Sequence, residues 1–208
     1  MFHRARLFSG FLGLFLFSTS VLADWESKFS AVSSKGDFPN ISGKIFARTD
    51  RVRVDSPYPM EMSVYAKSGS KQVFAAVHSF HIRLSSTQDA FSAPLFSCLA
   101  KSFEACVAAL KLKKVGSEKC GEQTCDLFEG DPKLNGVKSV KLWHWAGDKE
   151  AILAKAIIFK ITGGTVTAIF SEIIKKTRPD SFFKVPEDYK DAGALDRFFG
   201  DLHGKSGP

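Results

Sequence analysis

Apolar and polar residues alternate with a period of two along most of the chain. Ile41, Gly43, Ile45 and Ala47 interleave with Ser42, Lys44, Phe46 and Arg48, and Val52 and Val54 interleave with Arg51, Arg53 and Asp55. That period predicts strands with one buried face. Two more such runs, 60–67 and 72–84, flank the turn Ser68-Gly69-Ser70-Lys71. With Lys67 opposite Gln72, the residues Met60, Met62, Val64 and Ala66 share an apolar face with Val73, Ala75 and Val77. Glu61, Ser63, Tyr65, Phe74 and His78 fall on the other face. Further strands are predicted over 112–120, 123–129, 136–145, 151–161, 165–175 and 181–185.

A spacing of three to four residues occurs in fewer places. Asp24 stands where an N-cap would, before Trp25, Phe29 and Val32, which predicts a short first helix. Leu95, Leu99, Phe103 and Leu110 predict a helix over 94–111, and a helical tail is predicted over 194–202. Consecutive strands with short connections imply a mainly-β (α+β) fold: a curved antiparallel sheet with helices on one side. It forms one domain over residues 24–190, with a helical and then flexible tail over 191–208.

The longest hairpin is predicted to turn at Gly163-Gly164, a two-residue turn that sets Thr162 opposite Thr165. Ile157 and Phe159 then share a face with Val166, Ala168 and Phe170. On that face Lys155 opposes Glu172, an opposite-charge pair expected to serve as a polar anchor.

The first 23 residues change the picture. His3, Arg4 and Arg6 precede an apolar run from Phe8 to Phe17, and Val21-Leu22-Ala23 precede Asp24. That is the form of a cleaved signal peptide, too short in its apolar part for a span of about 20 residues. The expected location is across the inner membrane, in the periplasm, with no transmembrane anchor after cleavage. The net charge of +7 is scattered in small clusters such as Lys111, Lys113 and Lys114, which argues for solvated faces rather than nucleic-acid binding. The 20 Phe against three Tyr and three Trp favour broad apolar surfaces without polar handles.

Candidate chemistry is sparse. No G-x-S-x-G, Walker A, G-x-G-x-x-G or H-E-x-x-H motif occurs. Ser68-Gly69-Ser70-Lys71 matches S-x-x-K in letters but lies in a turn. His78 and His81 are three apart, so one regular strand would point them to opposite faces, away from a shared metal. No enzyme, metal or cofactor is therefore expected. The turn between Cys120 and Cys125 predicts a disulfide joining them directly across a hairpin. Cys98 and Cys106 would lie about 12 Å apart on one continuous helix. Either the helix breaks near residues 100–103 or both stay reduced.

Several segments together resemble the LolA-like periplasmic lipoprotein-carrier superfamily, in particular a divergent secreted branch. They are Ser42-Gly43-Lys44-Ile45 through Asp50-Arg51-Val52-Arg53-Val54, Lys114-Val115-Gly116-Ser117-Glu118 through Cys125-Asp126, and Leu142-Trp143. The last is Pro179-Asp180-Ser181-Phe182-Phe183-Lys184-Val185-Pro186-Glu187-Asp188-Tyr189, which carries a Phe-x-x-Pro-x-x-Tyr pattern. The resemblance implies a half-open barrel closed by a helical lid, binding acyl chains of lipids or lipoproteins as carrier or sensor. The expected ligand-binding wall is Met60, Met62, Val64, Val73, Ala75, Val77, Ile157, Phe159, Val166, Ala168 and Phe170, with Lys155 and Glu172 as anchor. The alternative is an envelope protein–protein interaction module without bound lipid.

Overall fold

The computed structural model describes residues 24–195 apart from 37–39, 49, 58–59, 69, 71, 88–97, 100–101, 135 and 149–151. The signal-peptide reading and most of the predicted helical tail lie outside the described residues.

Twelve strands form one sheet among the described residues. They are β1 (Trp25–Ser33), β2 (Ile41–Arg48), β3 (Arg51–Ser56), β4 (Met62–Lys67), β5 (Gln72–Val77) and β6 (Ile82–Thr87). A short helix, α1 (Phe103–Ala109), separates these from β7 (Lys113–Cys120), β8 (Gln123–Gly130), β9 (Val137–Trp145), β10 (Leu153–Lys160), β11 (Thr165–Lys175) and β12 (Lys190–Ala194). The order is β12-β6-β5-β4-β3-β2-β1-β11-β10-β9-β8-β7. Neighbours are antiparallel except β12, which runs parallel to β6. The sheet is open from β12 to β7, neither closed nor strongly curled, which corrects the half-open barrel closed by helices.

Alternation sets two faces. The inner face carries the core: Trp25, Ile45, Val54, Val64, Val77, Leu84, Leu142, Ala156 and Phe170 among others. Cys98, Leu99, Phe103, Cys106 and Leu110 pack onto it, joined by Leu195. The outer face of β2–β6 is covered by residues 178–189, a strap that follows β11.

Several expectations are corrected. The first segment is strand β1, because Ser27 and Ser33 are buried beside Trp25 and Ala31. The single run 72–84 breaks into β5 and β6 at a 3-10 turn, His78–Phe80, ended by His81 at φ 51°. The predicted strand 181–185 begins as a 3-10 turn, Asp180–Phe183. Residues 191–194, placed in the tail, belong to strand β12. The helix predicted over 94–111 is interrupted: Cys98 and Leu99 are helical, Ser102 is extended with its hydroxyl accepting from the Ala105 N–H, and α1 begins at Phe103.

That break brings Cys98 and Cys106 to a Cα separation of 4.6 Å, and they are disulfide-bonded. Cys120 and Cys125 are bonded as expected, but diagonally. Cys120 opposes Gln123 and Cys125 opposes Glu118, which puts both cysteines on one face. Two disulfides fit an oxidising, extracytoplasmic compartment.

Candidate functional site

The β4–β5 hairpin takes the expected register, with Met62 opposite Val77, Val64 opposite Ala75 and Ala66 opposite Val73. Val64, Val73, Ala75 and Val77 are buried in the inner-face core, and Met60 and Met62 pack against it half-buried. Val166, Ala168 and Phe170 of β11 belong to the same layer.

The long hairpin does not take the expected register. Phe159 opposes Thr165, Ile157 opposes Thr167 and Lys155 opposes Ile169. The turn closes between Lys160 and Gly164 through Lys160 N–H to Gly164 O (3.1 Å) and Gly163 N–H to Lys160 O (3.1 Å). An odd shift of three residues inverts one strand relative to the other. Ala156 and Ile158, not Ile157 and Phe159, therefore share the inner face with Ala168 and Val166. The anchor pair is separated too. Lys155 Nζ lies 4.7 Å over the Trp143 ring, while Glu172, at φ 52° in a bulge of β11, accepts from Lys28 at 2.6 Å.

The inner-face layer opens at one row. Phe29 opposes both Phe170 and Gly43, and Met62 opposes Ser56. Phe29, Gly43, Ser56 and Met62 all line a cleft of about 790 Å³. Two small residues thus stand between two large apolar ones. Gly43 is required there: a Cβ would lie 2.0 Å from the Asp55 carbonyl oxygen. The rest of the wall is charged and polar, including Lys28, Lys44, Arg53, Asp55 and His78; the first four alternate with the core positions, so the cleft draws its lining from both faces of the sheet.

A hydrogen-bond chain runs from this wall to the strap. Arg53 donates to both oxygens of Asp55, Nε at 2.7 Å and Nη2 at 3.0 Å. Ser63, fully buried, donates to Asp55 Oδ1 at 2.6 Å. Its oxygen lies 2.7 Å from His78 Nε2, and His78 Nδ1 lies 2.7 Å from the Tyr189 hydroxyl. Serine, not histidine, sits in the middle. That order cannot serve a nucleophilic triad, in which histidine must take the serine proton. Among the described residues no group of three His, Cys, Asp or Glu is placed to hold a metal.

Cation–π contacts fix the strap. The Arg53 guanidinium lies 4.3 Å from the Phe182 ring and Arg48 lies 4.8 Å from Phe183. Arg48 and Arg51 also bind Asp180, which holds its carboxyl below the usual range. On the inner face, Phe103 of α1 stacks on the buried His144 with centroids 3.5 Å apart and meets Phe128 edge-on at 4.8 Å. Sequence reading missed Asp55, Ser63 and Tyr189 as a connected set. The one available signal was Tyr189 at the end of the Phe-x-x-Pro-x-x-Tyr pattern.

No protein-family model and no curated protein matches the sequence. Solved structures do match. An uncharacterized conserved protein from Thermus thermophilus is 10% identical with a TM-score of 0.56, over 84% of this chain and 92% of that one. MucB is 10% identical with a TM-score of 0.52, over 82% of this chain. The chain spans 60% of the length of MucB. A LolA superfamily protein from Nitrosomonas europaea is 9% identical with a TM-score of 0.40, over 78% of this chain and 89% of that one. At these identities the likeness is one of fold, shared with the Thermus thermophilus protein and with MucB.

Proposed function

We propose that the protein is an extracytoplasmic binding protein, a carrier or sensor without covalent chemistry. In this reading it takes an acyl chain of a lipid or lipoprotein against the inner face of its sheet. The observation that carries the reading is the row Phe29, Gly43, Ser56 and Met62, where small residues leave an opening between large apolar ones. Its cleft of about 790 Å³ falls within the usual range for ligand sites, roughly 300–1,000 Å³. Met62 adds a flexible, polarizable side chain to its wall, suited to chains of varied shape. Lys44 and Arg53 at the same cleft supply cations for a headgroup. Of the eleven expected wall residues Met62 alone is in the described lining of this cleft, and Ile157 and Phe159 lie on the opposite face of the sheet.

The test is titration of delipidated protein with palmitate and with a lysophospholipid, alongside native mass spectrometry of protein taken from its own envelope. Saturable binding is expected, weakened tenfold or more by Met62→Asp or Phe29→Ser in variants that remain folded. No saturable binding of either probe and no co-purified lipid would end the reading.

A protein partner is the second reading. Val32 and Ile169, 46% and 51% exposed, lie on the outer face beyond the strap, beside half-buried Ile157. An envelope protein retained without lipid and released by Ile169→Lys would favour it.

A further inference from the structure

A second cleft, about 380 Å³ in volume, lies on the outer face between β3–β6 and the strap. Register places its walls in rows. Arg51 opposes Lys67, Tyr65 opposes Phe74, and Ala76 sets Arg83 beside them. The strap closes the space with Phe183 and Lys184. Four cations, Arg51, Lys67, Arg83 and Lys184, thus surround the rings of Tyr65, Phe74 and Phe183. Among the described residues no carboxylate lines the cleft.

The acidic partners are placed elsewhere. Arg51 binds Asp50 and Asp180, and Arg83 binds Asp191, all outside the lining. Arg51 and Lys67 stand directly opposite each other on adjacent strands, which gathers two cations at one end of the cleft. Arg83 Nε is buried and has no hydrogen-bond acceptor among the described residues. Burial pushes the Tyr65 phenol up, so it stays neutral and adds no negative charge. The rings offer flat apolar surface, and the guanidinium groups suit carboxylate or phosphate oxygens.

We propose that this cleft binds a small organic anion: an aromatic body carrying a carboxylate or phosphate. The rings take the body and the four cations take the charge. The two clefts share no lining residue, so the two readings stand or fall separately.

Isothermal titration with 1-naphthyl phosphate, 1-naphthol and inorganic phosphate tests it. One naphthyl phosphate per chain is expected, with affinity falling as salt rises. Naphthol and inorganic phosphate should each bind at least tenfold more weakly. Lys184→Glu, on the exposed strap, should weaken naphthyl phosphate tenfold or more with an unchanged melting temperature. Lys67→Glu should do the same from the sheet side, and Met62→Asp in the other cleft should change nothing. The proposal is overturned by absent saturable binding, by equal affinity for naphthol or inorganic phosphate, or by indifference to Lys184→Glu. A loss confined to Met62→Asp would also overturn it, because the probe would then occupy the cleft lined by Met62.

Discussion

Ser63 has one proton and gives it to Asp55 Oδ1, so only its lone pairs face His78. His78 Nε2 is therefore the donor, and in the neutral ring Nδ1 accepts from the Tyr189 hydroxyl. Every donor in the series points towards Asp55, which Arg53 neutralises. Ser63→Ala removes the acceptor of one buried group and the donor of another, and we expect a loss of about 1–3 kcal/mol in urea unfolding. Tyr189→Phe removes one bond at the end of the series, and about 0.5–1.5 kcal/mol is expected. A smaller loss for Ser63→Ala than for Tyr189→Phe would contradict the donor order. This series was not legible in the sequence. His78 reads there as an ordinary strand histidine, and Tyr189 lies 111 residues away. The apolar wall of β4 and β5 was legible, because Met62, Val64 and Ala66 alternate against Ser63, Tyr65 and Lys67 with no second pattern competing.

Elements whose two faces are both partly apolar were harder to read. In β10, Ile157, Ile158 and Phe159 are consecutive, so either parity gives an apolar face, and Gly163-Gly164 was compatible with the wrong turn. Strand β1 hides its period because two of its inward positions are serines, one of which, Ser27, satisfies its hydroxyl on Lys28 O and Ser171 O. The spacing of Trp25, Phe29 and Val32 then mimics a helix, although Val32 faces outward. The strap was recognisable as a motif but not as a structure, since its residues are held by arginines of β2 and β3 rather than by a strand ladder. Those arginines make its attachment depend on pH. Hydrogen bonds from Arg48 and then Arg51 lower the Asp180 pKa from 3.8. A folded-state pKa below the unfolded one contributes stability that is present above the ordinary value and lost as pH falls through the depressed one. Strap attachment should therefore be full at neutral pH and weaken below about pH 4. Asp180→Asn should lower protection of the strap amides at pH 7, with the variant and the parent converging in acid. A constant difference as the pH is taken well below the carboxylate range would exclude Asp180 as the titrating link.

Across the whole molecule, β1 is the seam. It joins β2 on one side to β11 on the other, so within the strand ladder of the described residues the two halves of the sheet are joined through pairings such as Phe29 with Phe170. A clasp at the end of the seam holds β1, β2 and the start of the strap together. Asp24, 4% exposed, receives Arg48 Nε at 2.7 Å and Nη2 at 2.8 Å, and the Arg178 backbone N–H at 2.7 Å. Lys176 N–H bonds the Asp24 carbonyl at 2.9 Å, and the Arg178 side chain binds Glu26. Removing the cation of a buried pair leaves an uncompensated charge, which costs roughly 3–5 kcal/mol, whereas removing both charges costs less. Arg48→Ala should therefore destabilise by about 3 kcal/mol or more. Adding Asp24→Asn to it should recover part of that loss, because the orphaned carboxylate disappears. Equilibrium unfolding of the two single variants and the double variant supplies the cycle. Strictly additive losses would mean that Arg48 acts through Asp180 and the Phe183 ring alone, and that the seam is closed by backbone pairing without the clasp.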